Sequence, residues 1–105
     1  GLDDTAVHLL AEDASNRPIG TARLLPTGQI GRMAVLPELR GRGIGAELLA
    51  SALEASRGAG LPEPWLNAQT GAQRFYERAG FRPEGETFME AGIPHRKMLW
   101  HGSPG

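Results

Sequence analysis

The chain has 105 residues, a formal net charge of −1 and no cysteine. That length fits one domain with little room for a second. The charge balance offers no global field to nucleic acid or an anionic membrane, and the absence of thiols excludes a cysteine nucleophile and thiolate metal sites. Gly and Pro together are enriched to about 22%, against roughly 12% in average usage, yet a hydrophobic fraction of 40% still supports a core. Ten of the eleven basic residues are arginine, with Lys97 the exception. That choice favours bidentate anion contacts, or it reflects a compositional bias of the source.

His8, His95 and His101 show no metal-ligand spacing, so no metal is expected. No apolar run approaches a membrane span and no signal-peptide pattern opens the chain, so a cytoplasmic protein without a membrane partner is expected. The chain opens on Gly1 and enters a strand-like pattern within a few residues, as a fragment or a processed form would.

In chain order, residues 6–12 and 19–25 are short apolar runs separated by the polar cluster Asp13-Ala14-Ser15-Asn16-Arg17-Pro18, the pattern of a hairpin. Pro26-Thr27-Gly28 turns the chain into a third strand over 29–36, with Gly31 inside it. A glycine there predicts a bulge or a close backbone approach. After Pro37, Arg40-Gly41-Arg42-Gly43-Ile44-Gly45 runs directly into a helical pattern. Ile44, Leu48, Leu49, Ala52 and Leu53 recur at three- and four-residue spacing, with Glu47, Ser51, Glu54 and Arg57 opposite, and Gly58 and Gly60 end the helix. Residues 65–69 form a short strand, and Thr70-Gly71-Ala72-Gln73 matches a capping box opening a second helix, which carries Ala72, Phe75, Tyr76 and Ala79 and stops at Gly80. Residues 81–100 read as two strands around a turn at Gly92-Ile93-Pro94. The expected fold is α/β (α+β), a mixed and mostly antiparallel sheet. Its central strand-helix-strand unit makes residues 29–36 and 65–69 parallel or splayed.

A glycine-rich turn between strand and helix exposes backbone N–H groups at the positive end of a helix dipole, which makes an anion site with phosphate as its natural occupant. A nucleoside-triphosphate loop needs a lysine that is not there, and a dinucleotide fingerprint needs Gly-x-Gly-x-x-Gly, whereas Gly41, Gly43 and Gly45 alternate strictly. A plain connection with solvated arginines is the other reading of these residues. What stands is Arg-x-x-Gly-x-Gly at Arg40, Gly43 and Gly45, before an amphipathic helix.

This stretch resembles the pyrophosphate-binding signature of the GNAT superfamily of acyl-CoA-dependent N-acetyltransferases. Phe75-Tyr76-Glu77-Arg78-Ala79-Gly80-Phe81 looks like the family's Phe-Tyr-x-x-x-Gly-Phe helix end, and Glu90-Ala91-Gly92-Ile93-Pro94-His95 resembles the tail of its bacterial ElaA-like branch. Together the three segments cover nearly the whole chain, which reads as a single acyl-CoA-binding domain over residues 1–105.

The resemblance implies that Arg40 and the backbone of Gly41, Arg42, Gly43, Ile44, Gly45 and Ala46 hold the pyrophosphate of acetyl-CoA. Met33, Ala34 and Val35 would pair with its pantetheine arm as an added strand does. Tyr76, the only tyrosine, stands where the family places its general acid; the alternative is that it packs its ring. Glu90 and His95 flank the turn and are the candidate bases that deprotonate an amine; turn stabilisation is the alternative for both. Gln69 stands where many members carry an asparagine that contacts the cofactor, with Asn67 two residues earlier.

With no cysteine, an acyl-enzyme through sulfur is excluded and direct transfer in a ternary complex is expected. The family's first strand and the helix pair after it have no counterpart in the chain. A homodimer or a partner segment completing the fold is therefore expected, with lower stability for the chain alone. The acceptor would be a small-molecule or peptide amine, and nucleic acid is not expected as a partner. The competing function is a CoA-binding sensor or interaction module without transfer activity.

Overall fold

The structure, a computed structural model, describes residues 6–102. The elements are β1 (Val7–Glu12), β2 (Pro18–Leu24), β3 (Ile30–Val35), α1 (Ile44–Gly58), β4 (Trp65–Gln69), α2 (Gln73–Arg78), β5 (Phe81–Glu90) and β6 (Ile93–Trp100). Their order is the one the sequence predicts. They form two compact units that divide after Pro62, each with its own antiparallel three-stranded sheet, β1-β2-β3 in the first and β4-β6-β5 in the second. β3 and β4 thus belong to different sheets.

In the first unit, the loop between β1 and β2 is fixed by Asp13, whose carboxylate accepts from the backbone N–H of Ser15 and Arg17 at 2.9 and 3.0 Å. These bonds hold its carboxyl below the usual value of 3.8. The apolar stripe of α1 packs on all three strands. Leu48, Leu49, Ala52 and Ser56 are buried, while Glu47, Ser51, Glu54 and Arg57 face out as their spacing predicts. Burial of each leucine contributes about 1.5–3 kcal/mol. Gly20 lets the helix come down on β2: a Cβ there would stand 2.9 Å from Leu48 Cδ1 and 3.2 Å from the Ala34 carbonyl oxygen. The helix closes with Gly60 N–H donating to Arg57 O and Leu61 N–H to Ser56 O, which satisfies two of its last carbonyls.

In the second unit, Leu66, Ala68, Phe81 and Met98 are buried, and the Trp100 indole N–H donates to Ala79 O at 3.0 Å, tying the end of α2 to β6. The predicted capping box does not form. Thr70–Ala72 is a 3-10 turn whose N-cap is Gln69, α2 starts only at Gln73, and neither has a side-chain cap. The turn between β5 and β6 also differs from its predicted place. It consists of Ala91 and Gly92, with φ of 53° and 76°, a two-residue turn whose twist matches the strands. Ile93 and Pro94 are already in β6, paired with Glu90 and Met89. Pro94 is tolerated because β6 pairs with β4 only from His95 onward, so its missing N–H breaks no rung there.

Candidate functional site

The glycine-rich turn lies in the first unit. β3 ends at Val35, Pro37–Leu39 make a 3-10 turn, and the chain reaches α1 through Gly41 and Gly43, both at φ 83°. Gly43 is the N-cap of α1 and carries no capping side chain, so the first N–H groups of the helix lack the usual Ser, Thr, Asp or Asn acceptor. Left-handed φ requires glycine at these positions, and a Cβ on either would meet nothing within 4 Å, so the space in front of the turn is open. An exposed N-terminus with a positive dipole end and an arginine on either side of Gly41 fits a pyrophosphate. Arg40 also braces the loop, since its Nε donates to Val35 O at 3.2 Å and ties the turn to the end of β3.

β3 is the edge strand of its sheet. Its register against β2 slips between the pairs Thr21–Ala34 and Arg23–Gly31, so two residues of β3, Arg32 and Met33, stand opposite Ala22 alone. This is the bulge that Gly31 predicts. It reaches Met33, the first residue of Met33–Val35, the segment expected to meet a pantetheine arm. Ala34 and Val35 pair with Thr21 and Gly20 on the β2 side.

The other predicted residues lie in the second unit. Tyr76 is half-buried on α2, edge-on to Phe75 at 5.0 Å and to Phe81 at 6.1 Å. Burial raises its phenol above the usual 10.0, so the hydroxyl carries its proton throughout the neutral range. Glu90 and His95, five residues apart, are brought together by the hairpin, with His95 Nε2 3.5 Å from Glu90 Oε2. His95 Nδ1 lies 2.7 Å from the Ile93 carbonyl oxygen. A carbonyl only accepts, so Nδ1 carries the hydrogen and Nε2, on the Glu90 side, is the basic nitrogen of the neutral ring. Phe88, paired with His95 across the strands, stacks on the imidazole at 6.0 Å and 25°. Gln69, the last residue of β4, pairs with His95 and is exposed, while Asn67 pairs with Lys97. His8 and His101 are exposed. Among the described residues no group of three His, Cys, Asp or Glu is gathered as metal ligands, and no helix is long and apolar enough to cross a membrane.

Phe88 and the Ile93 carbonyl are absent from the sequence-level site. The signal for them is the alternation Phe88-x-Glu90, which places both residues on the His95 face once the turn is located at Ala91-Gly92.

A family model described as an acetyltransferase (GNAT) domain matches residues 2–101 and spans both units. The chain belongs to the GNAT acetyltransferase family. This acetyltransferase is 32% identical to the uncharacterized N-acetyltransferase YjcF of Bacillus subtilis over 102 residues, covering 93% of this chain and 72% of YjcF. It is 40% identical to Protein ElaA of Escherichia coli over 70 residues, which are 66% of this chain and 46% of ElaA. The crystal structure of ElaA superposes with a TM-score of 0.80 over 91% of this chain and 68% of that one. An acyl-CoA N-acyltransferase from Pseudomonas aeruginosa superposes with a TM-score of 0.81 at 32% identity, over 90% and 68% of the two chains. Similarity to ElaA in both sequence and structure supports the ElaA-like branch of the GNAT acetyltransferases.

Proposed function

We propose that this GNAT acetyltransferase moves an acetyl group from acetyl-CoA to a primary amine by direct transfer in a ternary complex. The observation that carries the reading is the uncapped N-terminus of α1 behind Gly41 and Gly43, beside an edge strand bulged at Met33. The N–H groups of Gly41, Arg42, Gly43, Ile44, Gly45 and Ala46 would hold the pyrophosphate, with the N–H donors of the Arg40 and Arg42 guanidinium groups adding charge. The backbone of Met33, Ala34 and Val35 would take the pantetheine arm as an added strand along the edge of β3. Acetyl-CoA, when bound, supplies the activated acetyl group. Gln69 is a further polar contact for it.

His95 is the base in this reading. Its tautomer is set by the Ile93 carbonyl, so Nε2 takes the proton of an incoming ammonium, and the Glu90 carboxylate stabilises the imidazolium that results. Tyr76, in the Phe-Tyr-x-x-x-Gly-Phe helix end, is the acid in this reading, and its hydroxyl is protonated in the neutral range. No metal takes part in this scheme. Small-molecule amines in the cytoplasm are the acceptors it suits.

The test is release of free thiol from acetyl-CoA across a panel of primary amines, with the acetylated product identified by mass. Amine-dependent release supports transfer, and Tyr76→Phe lowers turnover while acetyl-CoA binding is kept. Unchanged turnover in Tyr76→Phe removes the acid role. Binding of CoA with no release on any amine overturns transfer in favour of a CoA-binding module.

A further inference from the structure

Resting on the transfer reaction proposed above, we infer that the face of the β5–β6 hairpin bearing Glu90, His95, Phe88 and Ile93 is the acceptor subsite, and that it selects primary amines carried on an aromatic or apolar skeleton without a neighbouring carboxylate. Strand pairing puts the four residues on one face. Phe88 is opposite His95 and Glu90 opposite Ile93, and directly opposed residues of an antiparallel pair project to the same side. The contacts agree: Phe88 stacks on the His95 ring, and Glu90 Oε2 lies 3.5 Å from His95 Nε2.

Exposure separates what each residue does. His95 is only 7% exposed and held on two sides, a fixed group with one ring nitrogen toward Glu90. The Glu90 side chain is 56% exposed, so its carboxylate is accessible to a cation from solvent. Phe88 at 37% and Ile93 at 41% are among the few large apolar side chains exposed among the described residues. An ammonium seated on the solvent side of the Glu90–His95 pair meets the exposed Glu90 carboxylate with His95 Nε2 beside it. Its carbon skeleton then finds an aromatic face and an aliphatic side chain within the same four residues, and the Phe88 ring adds cation–π attraction for the charged end. A carboxylate next to the nitrogen would face Glu90 at like charge, which disfavours α-amino acids.

Phenethylamine, phenylalanine and ethanolamine separate these features, because phenylalanine adds only the carboxylate and ethanolamine lacks the ring. Two readouts are taken on the whole chain. One is kcat/KM for transfer at saturating acetyl-CoA, and the other is direct amine binding in the presence of CoA, followed by saturation-transfer NMR. The expected result is a preference for phenethylamine over each of the others of about tenfold or more, equivalent to one decade in affinity. Phe88→Leu raises the KM for phenethylamine toward that for ethanolamine, and Phe88→Tyr, which keeps the ring, restores it. Glu90→Gln narrows the gap between phenethylamine and phenylalanine. Equal use of all three amines overturns the subsite and leaves the transferase reading standing. Binding of phenethylamine with the stated preference but without transfer supports the subsite and overturns the transferase reading. Neither binding nor transfer overturns both.

Discussion

Alanine in place of Gly43 isolates what the N-terminus of α1 requires of its backbone. Gly43 sits at φ 83° and ψ 2°, and an added Cβ would touch nothing within 4 Å, so the penalty is conformational and not steric. Left-handed backbone costs an L-residue roughly 1–2 kcal/mol, and the loss of glycine's freedom in the unfolded chain returns about 0.4–1 kcal/mol. The net is about 1 kcal/mol of destabilisation, or about 5 °C in Tm for a chain of this size.

Gly31→Ala is its counterpart. Gly31 has no left-handed φ and an equally open Cβ position, so the same unfolded-state effect, without the penalty, raises Tm by about 2–4 °C. Far-ultraviolet circular dichroism on heating reports this selectively, because α1 has 15 residues and α2 only 6. Gly43→Ala places a methyl group where backbone is proposed to meet acetyl-CoA, so it weakens binding, by about tenfold for one obstructed contact, whereas Gly31 lies outside the proposed Met33–Val35 contact. Equal Tm shifts of the same sign in the two variants would refute the backbone argument, and undiminished acetyl-CoA affinity in Gly43→Ala would remove the cofactor from this turn.

Gly20→Ala drives a methyl group against Leu48 Cδ1 and the Ala34 carbonyl; overpacking of this kind costs about 1–3 kcal/mol, read as a lower denaturation midpoint, and a stability equal to the parent would show that α1 lifts at no cost. Tyr76 is the only tyrosine, so tyrosinate absorbance on alkaline titration reports it alone: the folded inflection lies above 10.0 and the unfolded one at about that value. Below pH 10 this phenol leaves stability unchanged; above it the unfolded chain ionises first, so stability falls as pH rises toward the folded pKa, and Tyr76→Phe removes that limb. Asp13 acts at the opposite end, its lowered pKa giving stability that is present above 3.8 and lost as pH falls through the folded value. Asp13→Asn therefore flattens the acid limb of the stability profile, and an unaltered acid limb would assign it to other carboxylates.

The sequence is most legible where glycine and proline punctuate a clear period. α1 runs from Ile44 to Gly58 as its spacing and the flanking glycines predict, and β4 occupies the predicted residues 65–69 between Pro64 and Thr70. Gly31 announced the bulge in β3, although its own Cβ position is open. Local signals misled where two competed. Gly92-Ile93-Pro94 reads as a turn, but the left-handed pair is Ala91-Gly92, and alanine at φ 53° is a choice that propensity does not anticipate. That shift decides the site: only with Glu90 opposite Ile93 does His95 fall on the Glu90 side and under Phe88. The capping box at Thr70 failed for a similar reason, because the chain entered a 3-10 turn before the helix began. The Arg40 bond to Val35 O was illegible because it depends on the path of the Pro37–Leu39 turn.

The proposed transfer requires acetyl-CoA seated at the N-terminus of α1. Amide NMR spectra of the labelled chain during titration with CoA test this most directly. Saturable shifts are expected to be largest at Gly41, Arg42, Gly43, Ile44, Gly45 and Ala46, with a second group at Met33, Ala34 and Val35. Saturable shifts that leave both segments unmoved, or no saturable shift at all, would contradict it.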